Sequence, residues 1–283
     1  MPSLSPGLLA ITIAITPQLL QAETVTRRVE LDGIKHIHLL GDFNLSVTQG
    51  SNNYVEVTAE AEVVNRIEAK VQGSKLALGR EKTSHWSLFD WDDEVPADIN
   101  ASFVVQLAEL RSINNMGPGN VDVKNINTDH DLSFSNMGPG RFDIQNIQAE
   151  DIELDNFGPG RFQLSDIVAD KIEESTFGIG KSQYTNLRVE DFELNSFGVS
   201  GTTISGNSEI EKLEVNINGA GELDADDVEV KEADIEINGA GIVYINVREK
   251  LEAKISGNGK IYYRGSPEID QSIRGGGQLS PLK

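Results

Sequence analysis

The chain has 283 residues, no cysteine and a formal net charge of −21. The absence of thiols excludes disulfides, thiolate zinc sites and a cysteine nucleophile. Acidity without a basic stripe excludes nucleic acid as a partner and suits a soluble exported protein or one that meets cationic surfaces.

Residues 1–22 carry no charged side chain and hold an apolar run over 8–15, then Leu20, Gln21 and Ala22 ahead of Glu23. This pattern predicts a signal peptide cut after Ala22, hence an exported protein, periplasmic or secreted to the cell surface. The run is too short for a comfortable membrane span, and none is expected in the mature chain. Residues 23–113 alternate apolar and polar positions irregularly, as in Ile37 and Leu39, Val55 and Val57, and Leu76 and Leu78. They read as the capping coils that a repeat array needs to close its core. Between them, residues 81–98 hold both tryptophans amid carboxylates, and long insertions of this kind often carry binding residues. Trp86, Phe89 and Trp91 are the candidate ligand contacts, as aromatic faces that can stack on sugars.

From residue 114 to 283 a turn recurs nine times, its first glycines 18–21 residues apart. It appears as Gly117-Pro118-Gly119, Gly138-Pro139-Gly140, Gly158-Pro159-Gly160 and Gly178-Ile179-Gly180, and later as Gly219-Ala220-Gly221 and Gly239-Ala240-Gly241. Period-two apolar positions flank each turn: Ile152 and Leu154 before, Phe162 and Leu164 after. Such units bury an apolar face only by stacking. The fold class is therefore all-β, a parallel β-helix (β-solenoid) of about 20 residues per coil, right-handed like most parallel crossovers. Propeller blades need about 40 residues. A type II turn is expected, with proline presetting φ and the second glycine supplying φ > 0.

Stacking places equivalent residues in rows. Asn115, Asn136, Asn156, Thr176 and Ser196 share inward parity and predict an internal polar ladder. From Ile217 onward that position turns apolar and Asn moves one place on, which suggests a bulge or a changed cross-section. Met116, Met137, Phe157, Phe177 and Phe197 precede the turns; strict alternation would expose them, whereas a bend at the corner, the expected outcome, tucks them inward. Arg141, Arg161 and Lys181, and the acidic row Asp129, Glu150, Asp170 and Glu190, read as solvated flanks.

Parallel β-helices host many polysaccharide lyases and hydrolases. Asp129 and the pair Asp226 and Asp227 lie about five coils, or about 24 Å, apart, beyond the roughly 5–9.5 Å that glycoside hydrolysis requires. Asp224, Asp226 and Asp227 lack the glycine and distal glutamate of an EF-hand loop. His36 and His38 share a strand face without an evident third ligand. No catalytic residue, cofactor or metal ligand is assigned.

The opening strands through Val55-Glu56-Val57 and the Gly-Ser-Lys-Leu-Ala-Leu stretch at 73–78 begin an ordered set of elements. Ile217-Asn218-Gly219-Ala220-Gly221, Ile237-Asn238-Gly239-Ala240-Gly241 and Ile255-Ser256-Gly257-Asn258-Gly259 continue it, and Tyr262-Tyr263-Arg264-Gly265-Ser266-Pro267 ends it. Over residues 30–265 the chain resembles the bacterial head GIN domain family of putative autotransporter adhesins. The resemblance implies an envelope-located or secreted β-helix with an adhesive role and brings no catalytic residues; a translocator barrel is not found in this sequence. The expected function is non-enzymatic binding of a surface polysaccharide, another envelope polymer or a protein. The alternatives are a polysaccharide-active β-helix enzyme and a structural envelope protein that assembles end to end.

Overall fold

A computed structural model describes residues 23–80 and 100–282. The residues of the predicted leader, 1–22, lie outside them. The described chain forms 21 hydrogen-bonded strands wound into a β-solenoid of about eight coils. Its only helical element is the short 3-10 turn Val64–Arg66.

The repeat period sets the register. Strand Lys181–Gly198 lies parallel on Arg161–Gly178 with Phe162 beside Ser182, Ile172 beside Phe192 and Phe177 beside Phe197. The same rows run down to Asn120 and up to Gly275. Inward positions such as Phe142, Leu154, Phe162, Ile172, Leu213 and Ile235 are fully or almost fully buried. Each contributes on the order of 1.5–3 kcal/mol by leaving water.

Two corners shape each coil. At one, Asn125, Asn146, Asp166 and Asn186 all adopt φ of 57–58°. Asn and Asp tolerate this left-handed region, and here they also bond along the stack. Asn146 Nδ2 donates to Asn125 Oδ1 at 2.6 Å and Asn186 Nδ2 to Asp166 Oδ1 at 2.9 Å. The other corner is the Gly-x-Gly turn. Here the type II expectation is corrected: no second glycine of these turns has a positive φ, and from Gly158 onward it is the first glycine that does, with 119° at Gly178. The second glycine is needed for space, since a Cβ on Gly180 would lie 2.2 Å from Asn156 Nδ2.

The polar ladder is internal. Asn115, Asn136 and Asn156 are fully buried, and each Nδ2 donates to the carbonyl of the turn's second glycine at 2.7, 2.7 and 3.0 Å. Asn115 Nδ2 also reaches Asn136 Oδ1 at 3.2 Å. The change at Ile217 is not a bulge. Ser196, Ile217, Ile237 and Ile255 stay in one row, so the inward position exchanges a polar side chain for an apolar one at constant register. A turn glycine that no longer receives a side-chain hydrogen bond can sit against an isoleucine methyl instead.

The first third closes the N-terminal end. Thr24–Glu30 pairs antiparallel with Tyr54–Glu60, which pairs antiparallel with Ala101–Leu107. Ile67–Gln72 folds back on Lys75–Arg80.

Candidate functional site

The Gly-x-Gly corner carries the most distinctive surface. Met137 is 49% exposed, Phe157 42%, and Phe177 and Phe197 41% each. The expectation that these side chains tuck inward is therefore corrected. The strand keeps strict alternation up to the glycine, so the inward Asn, Thr or Ser forces the next residue outward. The phenylalanines stack face to face, with centroids 5.1 Å apart from Phe157 to Phe177 and 4.9 Å from Phe177 to Phe197. Their planes differ by 5° and 3°, so the column presents ring edges to solvent. At the turn itself Pro139 and Pro159 give way to Ile179 and Val199, 62% and 60% exposed. Together they make an apolar ridge across successive coils. It ends above Phe197, where Asn218 and Asn238 take the outward position.

Charge flanks the ridge on both sides. After the turn, Arg141, Arg161 and Lys181 stack in register and are exposed. Arg141 lies 3.8 Å from Asp143, while Arg161 and Lys181 form no ion pair among the described residues. Before the turn, Glu153, Glu173, Glu193, Glu214, Asp234, Glu252 and Asp270 form one continuous carboxylate row. Lys171 bridges two of them, 3.1 Å from both Glu173 and Glu193, and these bonds hold its ammonium above the usual lysine pKa. Asp155, two residues before Phe157 on the same face, has a raised carboxyl pKa through burial first and then its neighbours Glu153 and Glu173.

The ends of the insertion are placed by register. Leu78 stands beside Leu39, and Ser102 beside Asn44. Thus Arg80 and Asn100 bracket the coil position that Gly41, Asp42 and Phe43 occupy one layer above, toward the ridge and at the same corner. Trp86, Phe89 and Trp91 lie outside the described residues.

A second feature is an open depression of about 880 Å³ on the N-terminal flank. Glu109, Arg111 and His130 line it, together with Asp129, Glu150 and Asp170 of the predicted acidic row. Glu109 pairs with Lys35 at 2.7 Å and accepts from Arg111 at 2.9 Å, and these bonds hold its carboxyl below the usual range, whereas Asp129, Glu150 and Asp170 form no ion pair among the described residues. His36 and His38 sit nearby, and His36 Nδ1 bonds Ser112 Oγ at 2.9 Å. Burial lowers both imidazole pKa values, aided by Lys75. Among the described residues no group of three or more His, Asp or Glu is arranged to hold a metal. Asp226, weighed above as an acidic motif, is ion-paired to Arg264 at 2.9 Å.

The sequence reading missed the carboxylate row and the exposure of the ridge. The signal for both was present as fixed-parity Glu and Phe at the repeat spacing, but parity alone does not say how a corner bends.

The family model for the putative auto-transporter adhesin, head GIN domain, matches residues 34–267. No curated protein matches the chain in sequence. Among solved structures, a putative adhesin from Parabacteroides distasonis is similar at 16% identity and a TM-score of 0.67, covering 92% of this chain and 98% of that one. A putative adhesin from Parabacteroides merdae is similar at 19% identity and a TM-score of 0.64, covering 92% and 97%. A putative lipid binding protein from Parabacteroides distasonis is similar at 20% identity and a TM-score of 0.67, again covering 92% and 97%. At these identities the likeness shows the fold.

Proposed function

Because the chain belongs to the head GIN domain family of putative auto-transporter adhesins, we propose that it is an exported, non-enzymatic binding module that holds a surface polysaccharide or protein along its Gly-x-Gly corner. One observation carries this reading. A solenoid of net charge −21 exposes a continuous row of stacked phenylalanines, with Ile179 and Val199, beside two cations that lack partners among the described residues. Contiguous exposed apolar surface of this kind marks interaction sites. The ring edges and the guanidinium of Arg161 suit a partner that is partly apolar and partly anionic. This reading assigns Trp86, Phe89 and Trp91 to the same contact, because Arg80 and Asn100, the described residues that flank their segment, stand at this corner. The adhesin family is consistent with a surface or extracellular location. No helix among the described residues is long and apolar enough to cross a membrane.

The test is binding of residues 23–283 to an array of glycans and envelope polymers, beside Phe177→Ser/Phe197→Ser and Trp86→Ala/Trp91→Ala. Both variants are expected to bind about 10-fold more weakly or worse, because hot-spot aromatics carry roughly 2 kcal/mol or more each. Binding that survives the phenylalanine change removes the ridge from the contact. Silence of the unaltered protein on every polymer removes the polysaccharide and leaves the protein partner.

A further inference from the structure

Among the described residues, the strand Glu268–Gly275 pairs along one edge only, with the coil beneath it. All eight of its residues are exposed. Ile269 and Ile273 are 38% exposed, although they stand directly over Leu251 and Ile255, which are 0% and 2% exposed. Two isoleucines with core parity therefore form the end of the core, beside a row of unpaired backbone donors and acceptors. Such an edge is a template for another strand.

The opposite end is protected. Its edge strand Thr24–Glu30 turns Arg27 to the core parity, beside the buried Val57. Arg27 Nη2 donates to the Ile67 carbonyl at 2.9 Å and so lies across the end of the core. An inward-facing charge is a known way to blunt an edge. Arg28 is engaged as well, with Glu30 at 2.8 Å and Glu56 at 3.4 Å. On the second face of the C-terminal coil, Pro281 lacks the N–H a further strand would use.

We propose that Glu268–Gly275 pairs antiparallel with the same strand of a second copy, about a two-fold axis through Gln271, so that two solenoids join end to end. In this register Ile269 meets Ile273 of the second copy on the core side, and Glu268 meets Arg274 on the outer side. Asp270 meets Ser272, and Gln271 meets its own equivalent, whose amide both donates and accepts. Each contact occurs twice, as an isologous interface requires. Other registers fail. A shift that pairs Asp270 with itself places like charges in contact, and one that pairs Asp270 with Arg274 sets Ile269 against Gly275. A shift of one residue turns the isoleucines to the polar face. Glu268, Asp270 and Arg274 form no ion pair among the described residues, so the cross-copy bonds compete with none.

Sedimentation equilibrium of residues 23–283 across a wide concentration range tests this, beside Glu268→Arg, Arg274→Glu, the double exchange Glu268→Arg/Arg274→Glu, and Ile273→Asp. The expected mass at high concentration is twice that of one chain. Each single charge reversal weakens association roughly 10-fold or more, because it sets like charges opposite each other twice. The double exchange recovers the affinity to within a few-fold. Ile273→Asp abolishes the dimer while the β-sheet circular dichroism stays unchanged. A monomer at every concentration overturns the proposal, as does a dimer indifferent to these changes or a double exchange that recovers nothing. A mass that grows without limit also overturns it and indicates head-to-tail stacking. None of these outcomes depends on the ligand-binding reading.

Discussion

Glu174 is a carboxylate inside the apolar core. Its row neighbours are Leu154 and Leu194, and it is 1% exposed. Three hydroxyls donate to it: Ser182 Oγ at 2.5 Å and Thr176 Oγ1 at 2.9 Å on one oxygen, and Tyr184 OH at 2.6 Å on the other. Burial raises its pKa above the ordinary glutamate value and outweighs these bonds, which lower it. The same burial, with the Glu174 charge, pushes the Tyr184 phenol well up. Tyr184 is the one titratable group shown in contact with Glu174. A raised folded-state value means that the protonated carboxyl favours the fold. The stability it contributes is complete below the unfolded glutamate value and is lost as pH rises through the folded one. Glu174→Gln, which cannot ionise, is expected to flatten the decline of the unfolding midpoint between acid and neutral pH. Urea titrations of both proteins at several pH values check this, and parallel curves would assign the decline to other groups. Glu174→Leu matches its row neighbours but strands buried hydroxyls, at a cost of about 1–3 kcal/mol for each one left unbonded.

At the scale of the element, the corner is built by two glycines with different duties. Gly178 needs its positive φ, whereas Gly180 needs the absence of a Cβ, because Asn156 Nδ2 would lie 2.2 Å away. Asn156 Nδ2 is already committed to the Gly160 carbonyl at 3.0 Å, so it has little freedom to retreat. Gly180→Ala is expected to cost about 1–3 kcal/mol as an overpacked core. Gly201, which stands beside Lys181 one coil on, has open space where a Cβ would stand and no positive φ, so Gly201→Ala is expected to be neutral or stabilising by about 0.4–1 kcal/mol. Denaturant midpoints of the two variants decide it. Equal effects would show that the turn senses only chain entropy. The ladder and the ridge are two outcomes of one alternation: the side chain that turns in toward the second glycine puts the next one out into solvent.

At the scale of the whole molecule, in-register stacking turns single charges into rows. The seven carboxylates from Glu153 to Asp270 stand one per coil, about 4.8 Å apart. Lys171, Lys212, Lys250 and Lys254 pair with members of the row and offset part of the repulsion. At about 10 mM ionic strength the screening length of about 30 Å spans several coils, whereas at about 150 mM it falls to about 8 Å. Added sodium chloride is therefore expected to raise the melting temperature by about 2–4 °C, equivalent to roughly 1 kcal/mol for a chain of this size. Scanning calorimetry in low and moderate salt checks the sign. A fall would mean that the surface ion pairs outweigh the repulsion of the rows.

The sequence by itself determined the architecture and its family, because a twenty-residue period, glycine turns and period-two apolar positions leave stacked parallel coils as the way to bury every unit. It also determined that Asn115, Asn136 and Asn156 face inward, since parity alone decides the side of a strand. Three things waited for the tertiary structure. The direction of Met137, Phe157, Phe177 and Phe197 depended on how the corner bends, which alternation leaves open. The division of labour between the turn glycines depended on the layer beneath each turn, a neighbour some twenty residues away in the chain. The burial of Glu174 was written in its parity, but only the facing hydroxyls of Thr176, Ser182 and Tyr184 make a carboxylate tolerable there, and folding alone brings them together.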